Sequence, residues 1–266
     1  SRRDKRACHL VLGLSTTTRR KRLTSKLCGC MNKKGNARIV YDDVKNRLEV
    51  HQTRDVKPKS LGDNVVAGDY GTTEVVTDNE GHQYGTNFGK LLTRYNAFLV
   101  EKGKQRNRLL SVYENTNDPK KAKRIQKNNL KSNNRDRIHR RERTALENEI
   151  NQAYRRLFHT QQVGKIGFED LSKMRGKTKF KGLSRRVSLW IRSYSKERLA
   201  FLSEAFTVHV QYANPAYTSQ ECHRCHYASR DNRSGDRFVC RVCGHTDHAD
   251  TNAAKNIRHR MDDKEI

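Results

Sequence analysis

Two Cys-x-x-Cys pairs, Cys222/Cys225 and Cys240/Cys243, stand 14 residues apart and constrain this chain more than any other feature. Four thiolates delivered by two tight turns fit the tetrahedral shell of a zinc ion, with each Zn–S bond about 2.3 Å. A shell of four sulfurs leaves no open position for water, so the spacing predicts a structural zinc ribbon rather than a reacting metal. Gly244, after the last cysteine, eases the second turn. His223, His226, His245 and His248 crowd the same stretch. With four sulfurs already present, each histidine reads as a surface or supporting residue. Cys8, Cys28 and Cys30 lack standard ligand spacing and read as ordinary thiols; the alternative is a second metal site built from Cys28-Gly-Cys30 and Cys8-His9. Seven cysteines, four of them in metal spacing, fit an intracellular protein better than a secreted disulfide framework.

Outside the ribbon the chain has modest means for a core. Of 266 residues, 33% are hydrophobic, and 56 Lys and Arg face 29 Asp and Glu, a formal net charge of +27. No run approaches the roughly 18 apolar residues of a spanning helix. A surplus of this size repels itself in a compact state and calls for a polyanionic partner. Nucleic acid is the first reading; an anionic membrane surface or a merely solubilising surface are the others. The chain starts Ser1-Arg2-Arg3 without Met or a charged-then-apolar leader, which fits a piece of a longer protein.

The local patterns divide the chain. Residues 1–60 are basic and carry two alternating stretches, Arg38-Ile-Val-Tyr-Asp-Asp and Asn46-Arg-Leu-Glu-Val-His, that predict a small β-rich piece. From Asn64 an antiparallel meander is expected: an apolar strand ending in Asp69, a second at Thr73-Glu-Val-Val-Thr, a turn at Asp78–Gly81 and a third strand from His82. Residues 101–160 hold 17 Lys or Arg against 7 Asp or Glu, a local surplus of +10. Leu109, Leu110 and Val112, then Ile138, Leu146, Ile150, Tyr154, Leu157 and Phe158, recur near 3.6 and predict a basic helical hairpin. Lys165–Leu171 reads as a strand ending in acid, and Arg175–Arg186 as a basic loop with Lys177, Lys179, Lys181 and Arg185. Val187 to Phe206 has one apolar helical face, with Trp190 on it as core, and Thr207–Tyr212 is a strand. The ribbon falls at 216–246, and Asp250 opens a closing helix within 247–266. Meander, then alternating helix and strand, then a last helix describe a ribonuclease H-like α/β layer spanning 61–215 and 247–266.

Three acids sit at element ends: Asp69, Glu169 and Asp250. Phosphodiester hydrolysis by two Mg²⁺ ions about 3.5–4 Å apart uses such acids, drawn from distant positions.

Two stretches are more specific: Pro215-Ala-Tyr-Thr-Ser-Gln-Glu-Cys-His-Arg-Cys and Phe238-Val-Cys-Arg-Val-Cys-Gly-His-Thr-Asp-His-Ala-Asp-Thr-Asn-Ala-Ala-Lys-Asn-Ile. With Asn64–Gly81 and Lys165–Leu171, they resemble the C-terminal half of the TnpB family, RNA-guided nucleases of insertion sequences related to type V CRISPR effectors. The resemblance covers most of residues 60–260. It implies a RuvC-like nuclease with a zinc ribbon inserted before its last acid. Gly68 and Asp69 fit the first motif, where Tyr70 is a departure, Gly167–Leu171 the second and Asp250-x-Asn252-Ala-Ala the third. Asp69, Glu169 and Asp250 are then the catalytic acids and hold the Mg²⁺ ions. Asp170, on the opposite strand face, and Asp247 rank second. The resemblance also implies that Arg233 touches substrate phosphate, against an ordinary surface arginine. Guide RNA, double-stranded DNA and a displaced single strand are the implied partners, and a prokaryotic cytoplasm or nucleoid the implied location. The N-terminal half usual in the family is largely missing here, in keeping with a fragment, a compact relative or a second chain. The alternatives are a catalytically silent guide-RNA-dependent DNA binder and a ribonuclease H-like DNA transposase.

Overall fold

The computed structural model describes residues 14–15, 22–23, 36–42, 47–52, 57–130, 133–171 and 185–261. The chain divides into two units, Ser1–Val56 and Lys57–Ile266. In the first, β1 (Leu14–Ser15) pairs antiparallel with β2 (Arg22–Leu23), and β3 (Ala37–Asp42) with β4 (Arg47–Gln52) from Ala37↔Gln52 to Asp42↔Arg47. The two alternating stretches of the sequence are β3 and β4. Cys8, Cys28 and Cys30 lie outside the described residues.

The second unit is built on a mixed sheet of order β7-β6-β5-β8-β9. β5 (Asn64–Tyr70), β6 (Val76–Asp78) and β7 (Gln83–Tyr84) form the antiparallel meander. The second strand starts later than its sequence predicts. Thr73, Glu74 and Val75 belong to the connection, where Val75 N bonds Tyr84 O at 2.9 Å and Gly89 N bonds Thr73 O at 2.8 Å. β8 (Val163–Glu169) and β9 (His209–Ala213) run parallel to β5, and parallel neighbours require crossovers. The helices provide them.

α1 (Phe88–Glu114), α2 (Pro119–Ile125), a π-helical turn (Gln126–Leu130) and α3 (Asn133–Thr160) connect β7 to β8. Leu146, Ile150, Tyr154, Leu157 and Phe158 of α3 are fully buried, as their spacing requires. The first arm of the hairpin is longer than predicted. It starts at Phe88, and its buried residues are Phe88, Leu92 and Tyr95, whereas Val112 is exposed. α2 is started by Asp118, whose carboxylate accepts from Lys120 N at 2.9 Å, with Pro119 in the first turn.

α4 (Arg185–Phe206) leads into β9 and buries Ile191, Ser195, Leu199 and Leu202, with Trp190 half-buried against the core. Arg185 and Arg186 are helical rather than the end of a loop. Lys177, Lys179 and Lys181 lie outside the described residues.

The alternation of β5 sorts the two faces of the sheet. Val66 and Tyr70 face the large core shared with α1, α3 and α4, while Val65 and Ala67 join Ala213, Ile257 and Met261 under α5 (Ala249–Arg260). Small residues let α5 lie close. A methyl on Gly167 would stand 2.3 Å from Met261 Sδ.

Between β9 and α5 comes a small antiparallel sheet of β10 (Arg233–Ser234), β11 (Arg237–Val239) and β12 (Thr246–His248). The ribbon sheet thus runs to His248, two residues past the limit drawn from the sequence. No helix among the described residues is long and apolar enough to cross a membrane.

Candidate active site and metal centre

The register Ala67↔Gly167 between β5 and β8 carries forward two residues to set Asp69 beside Glu169. Both share the face of Ala67 and Gly167, the one under α5. Asp69 is 1% exposed and Glu169 5%. Asp250 lies in the first turn of α5, which packs on β5, β6 and β8. Asp170, half-buried, follows the strand on the other side; its charge helps burial raise the Tyr212 hydroxyl. The fold therefore gathers Asp69, Glu169 and Asp250 at one end of one sheet face. Their oxygens do not form a group within 4.8 Å of one another, as two other side-chain clusters do.

Two neighbours of these acids give no signal in the sequence. Glu74 is 5% exposed and accepts from the Thr77 hydroxyl at 3.3 Å. Thr77 is the cross-strand partner of Asp69, so Glu74 lies on the acid face. Burial first, then the charge of Asp250, push the Glu74 carboxyl up. Thr218, 2% exposed, donates its hydroxyl to Glu169 Oε1 and fixes the carboxylate's orientation. Such contacts are made only by the fold, since Thr218 sits 49 residues from Glu169.

Arg233 of β10 bonds Asp250 Oδ1 at 2.9 Å through Nη2 and Gly235 O at 3.0 Å through Nε. The ribbon is thus tied directly to the third acid. Asn252 and Asn256, one turn apart on α5, add to this tie. Asn252 Nδ2 donates to Glu221 O at 2.7 Å, and Asn256 Nδ2 to Thr218 O at 2.9 Å and Glu221 O at 2.7 Å. Ala253, Ala254 and Ile257 beside them on the helix are buried. The stretch Asp250–Ile257 thereby serves acid site, ribbon and sheet at once.

In the ribbon the four cysteine sulfurs converge, with Cys222 Sγ 3.6 Å from Cys243 Sγ and Cys225 Sγ 3.5 Å from Cys240 Sγ. Burial works to raise the Cys240 thiol, but the amides of Cys243 and Val242 bring it down to about 6. The amide of Tyr227 works to lower the facing Cys225 thiol; burial and the sulfurs of Cys243 and Cys240 push it up to about 12. Four sulfurs converging in this way are the donor set of a tetrahedral soft-metal site. Phe238, fully buried with Cys222, Cys240 and Ala249, is the ribbon's own core. Of the basic candidates for nucleic-acid contact, Arg233 is the one whose side chain is described.

These features define a class: a mixed α/β protein with carboxylates on one sheet face and a four-cysteine ribbon tied to the last of them. Residues 195–257 match the model of the Cas12f1-like family's TNB domain. The TnpB-like protein aq_aa05 of Aquifex aeolicus strain VF5 is 35% identical over 95 residues, 34% of this chain and 31% of that protein. The CRISPR-associated endodeoxyribonuclease Cas12f1 of Sulfoacidibacillus thermotolerans is 35% identical over 95 residues, 35% of this chain and 21% of its own length. In fold, the chain is similar to the protein of a cryo-EM Cas12f1–sgRNA–target DNA complex, with a TM-score of 0.56 at 18% identity over 84% of this chain and 44% of that one. Over these stretches the chain is similar to TnpB-like and Cas12f1 proteins, and the matched stretches span a third or less of those two relatives.

Proposed function

We propose that the second unit is the RuvC-like, ribonuclease H-type nuclease part of an RNA-guided DNA endonuclease, with Asp69, Glu169 and Asp250 as its catalytic acids. The observation that carries this reading is the placement of Asp69 and Glu169 side by side on the face that α5 covers with Asp250. Buried carboxylates gathered this way are stable when cations neutralise them, and hard oxygen donors suit Mg²⁺. Two Mg²⁺ ions held by these acids would supply an activated water and charge stabilisation at the leaving oxygen. Asp69 and Glu169 offer rigid strand-end ligands, Thr218 fixes Glu169, and Arg233 orients Asp250. The four cysteines would hold a structural Zn²⁺, which would keep Arg233 and Asp250 in register. The net charge of +27 grips the guide RNA, the DNA duplex and the displaced strand through their phosphates. The Cas12f1 relative and the Cas12f1–sgRNA–target DNA complex of similar fold support these partners by similarity.

The test is cleavage of guide-matched DNA by the full protein. Asp69→Ala and Glu169→Ala should each abolish cutting while leaving binding intact; unchanged cutting overturns the assignment. One observation favours a silent guide-dependent binder: Arg233 already occupies Asp250 as a counter-cation. Mn²⁺ binding lost in Asp69→Ala supports the enzyme, and no Mn²⁺ binding supports the binder.

A further inference from the structure

The ribbon carries a second convergence of donor atoms that the four cysteines do not use. His223 follows the first ligand cysteine, His245 follows the second knuckle, and Asp247 lies in β12; one donor atom of each is within 4.8 Å of the others. The two imidazole rings meet edge to face with centroids 4.5 Å apart. His245 Nε2 is sealed from solvent with no hydrogen-bond partner, and it stands 3.6 Å from Asp247 Oδ2. That is too long for a hydrogen bond. It is close to the separation of about 3.3 Å between two donors on one tetrahedral zinc with bonds of about 2.0–2.1 Å.

The network around His223 settles its tautomer. Asn252 Nδ2 is spent on Glu221 O, so Asn252 Oδ1 is the acceptor facing His223. It takes the His223 backbone N–H at 3.1 Å and lies 3.2 Å from Nδ1. Nδ1 must therefore carry the proton, which leaves the lone pair on Nε2. An imidazole anchored through one nitrogen with the other bare is how proteins present histidine to a metal. Asp247 is oriented as well: Oδ1 accepts from His248 N at 2.8 Å, and Oδ2 meets Lys255 Nζ at 2.7 Å. The Lys255 ammonium thus holds the position of a cation at the end of a flexible, one-third exposed side chain.

We propose that His223, His245 and Asp247 form a second divalent-metal site that takes Zn²⁺ with a water in the fourth position, Lys255 being its displaceable counter-cation. Two imidazoles and one carboxylate are a borderline donor set, suited to Zn²⁺ and to Co²⁺ as its probe. The ion would clamp the first knuckle to β12, three residues before Asp250. This site stands whether or not the chain cuts DNA.

The full chain, saturated with Zn²⁺ and desalted, should carry two zinc ions, and His245→Ala and Asp247→Asn one each. In Co²⁺-substituted protein, the thiolate-to-cobalt absorption of the four-cysteine site should be the same in wild type and both variants. Asp247→Asn keeps an oxygen for His248 N and so carries the test should His245→Ala fail to fold. Lys255→Gln should bind the second zinc about tenfold tighter, the scale on which neighbours of metal ligands act. One zinc per wild-type chain under Zn²⁺ excess overturns the proposal, as do two that persist in both variants.

Discussion

Gly68 lies beside the first acid for a steric reason. A methyl built on it would stand 2.6 Å from Val76 Cγ2 and 2.7 Å from Phe168 Cε1, and both side chains are fully buried. Gly68→Ala should therefore destabilise the sheet by about 1–3 kcal/mol, the usual scale of overpacking, read as a lower denaturation midpoint in urea. At Thr218 the expected loss is in activity. Thr218→Val keeps shape and burial but removes the hydroxyl that holds Glu169. Cleavage should fall about 10–100-fold, as when an outer partner of a metal ligand is lost, with thermal stability little changed and Thr218→Ser restoring the rate. The sequence makes Gly68, Asp69, Glu169 and Asp250 visible because each lies in a local pattern. It does not reveal Thr218 or Glu74, because their meaning is a contact across the fold. His223 and His245 read as supporting residues for the same reason: sequence spacing cannot show that two rings and Asp247 converge.

Among the elements, the pairing of α1 with α3 rests on one buried carboxylate as well as on apolar packing. Glu142, 4% exposed, takes Arg94 Nε at 2.6 Å and Arg141 Nη2 at 3.0 Å. Burial alone would raise its carboxyl, but the two guanidinium groups hold it below its usual value. A depressed folded-state value means the contribution is fully present at neutral pH and is lost as pH falls through and below the ordinary glutamate range, near 4.3. Urea midpoints measured from pH 7 to pH 3 should fall for the wild type and fall less steeply for Glu142→Gln. The helix α3 was legible because Leu146, Ile150, Tyr154 and Leu157 repeat at 3.6. The start of α1 was not. Charge drew the hairpin boundary at residue 101, while the helix actually starts at Phe88, where the buried contacts Phe88, Leu92 and Tyr95 begin. Likewise the second strand looked to begin at Thr73 because Glu-Val-Val-Thr reads as β. Glu74 and Val75 are instead held in the connection by the Val75–Tyr84 bond, the shift that lets Glu74 reach the acid face.

At the scale of the molecule, the proposed function gives the excess charge and the acids different work. Lys104, Arg108, Lys120, Lys121, Lys123, Arg124 and Lys127 of α1, α2 and the turn after it are exposed, while Asp69 and Glu169 are buried at the sheet end. On the proposed function, the first group pairs with phosphates along a duplex without geometric demands, and the second acts on one phosphate. Binding should then be steeply salt-dependent. A grip on about 6–10 phosphates loses on the order of 10³–10⁵ in affinity between about 50 and 200 mM salt. Replacing Lys104, Arg108, Lys120 and Lys121 by Gln should flatten the plot of log affinity against log salt by about 0.9 for each phosphate contact removed. Asp69→Ala should leave that slope unchanged and abolish cutting. Measuring guide-bound DNA affinity across the salt range separates the two groups. An unchanged slope in the fourfold variant would move the grip away from α1 and α2, and a changed slope in Asp69→Ala would mean that the buried acid also shapes the binding field.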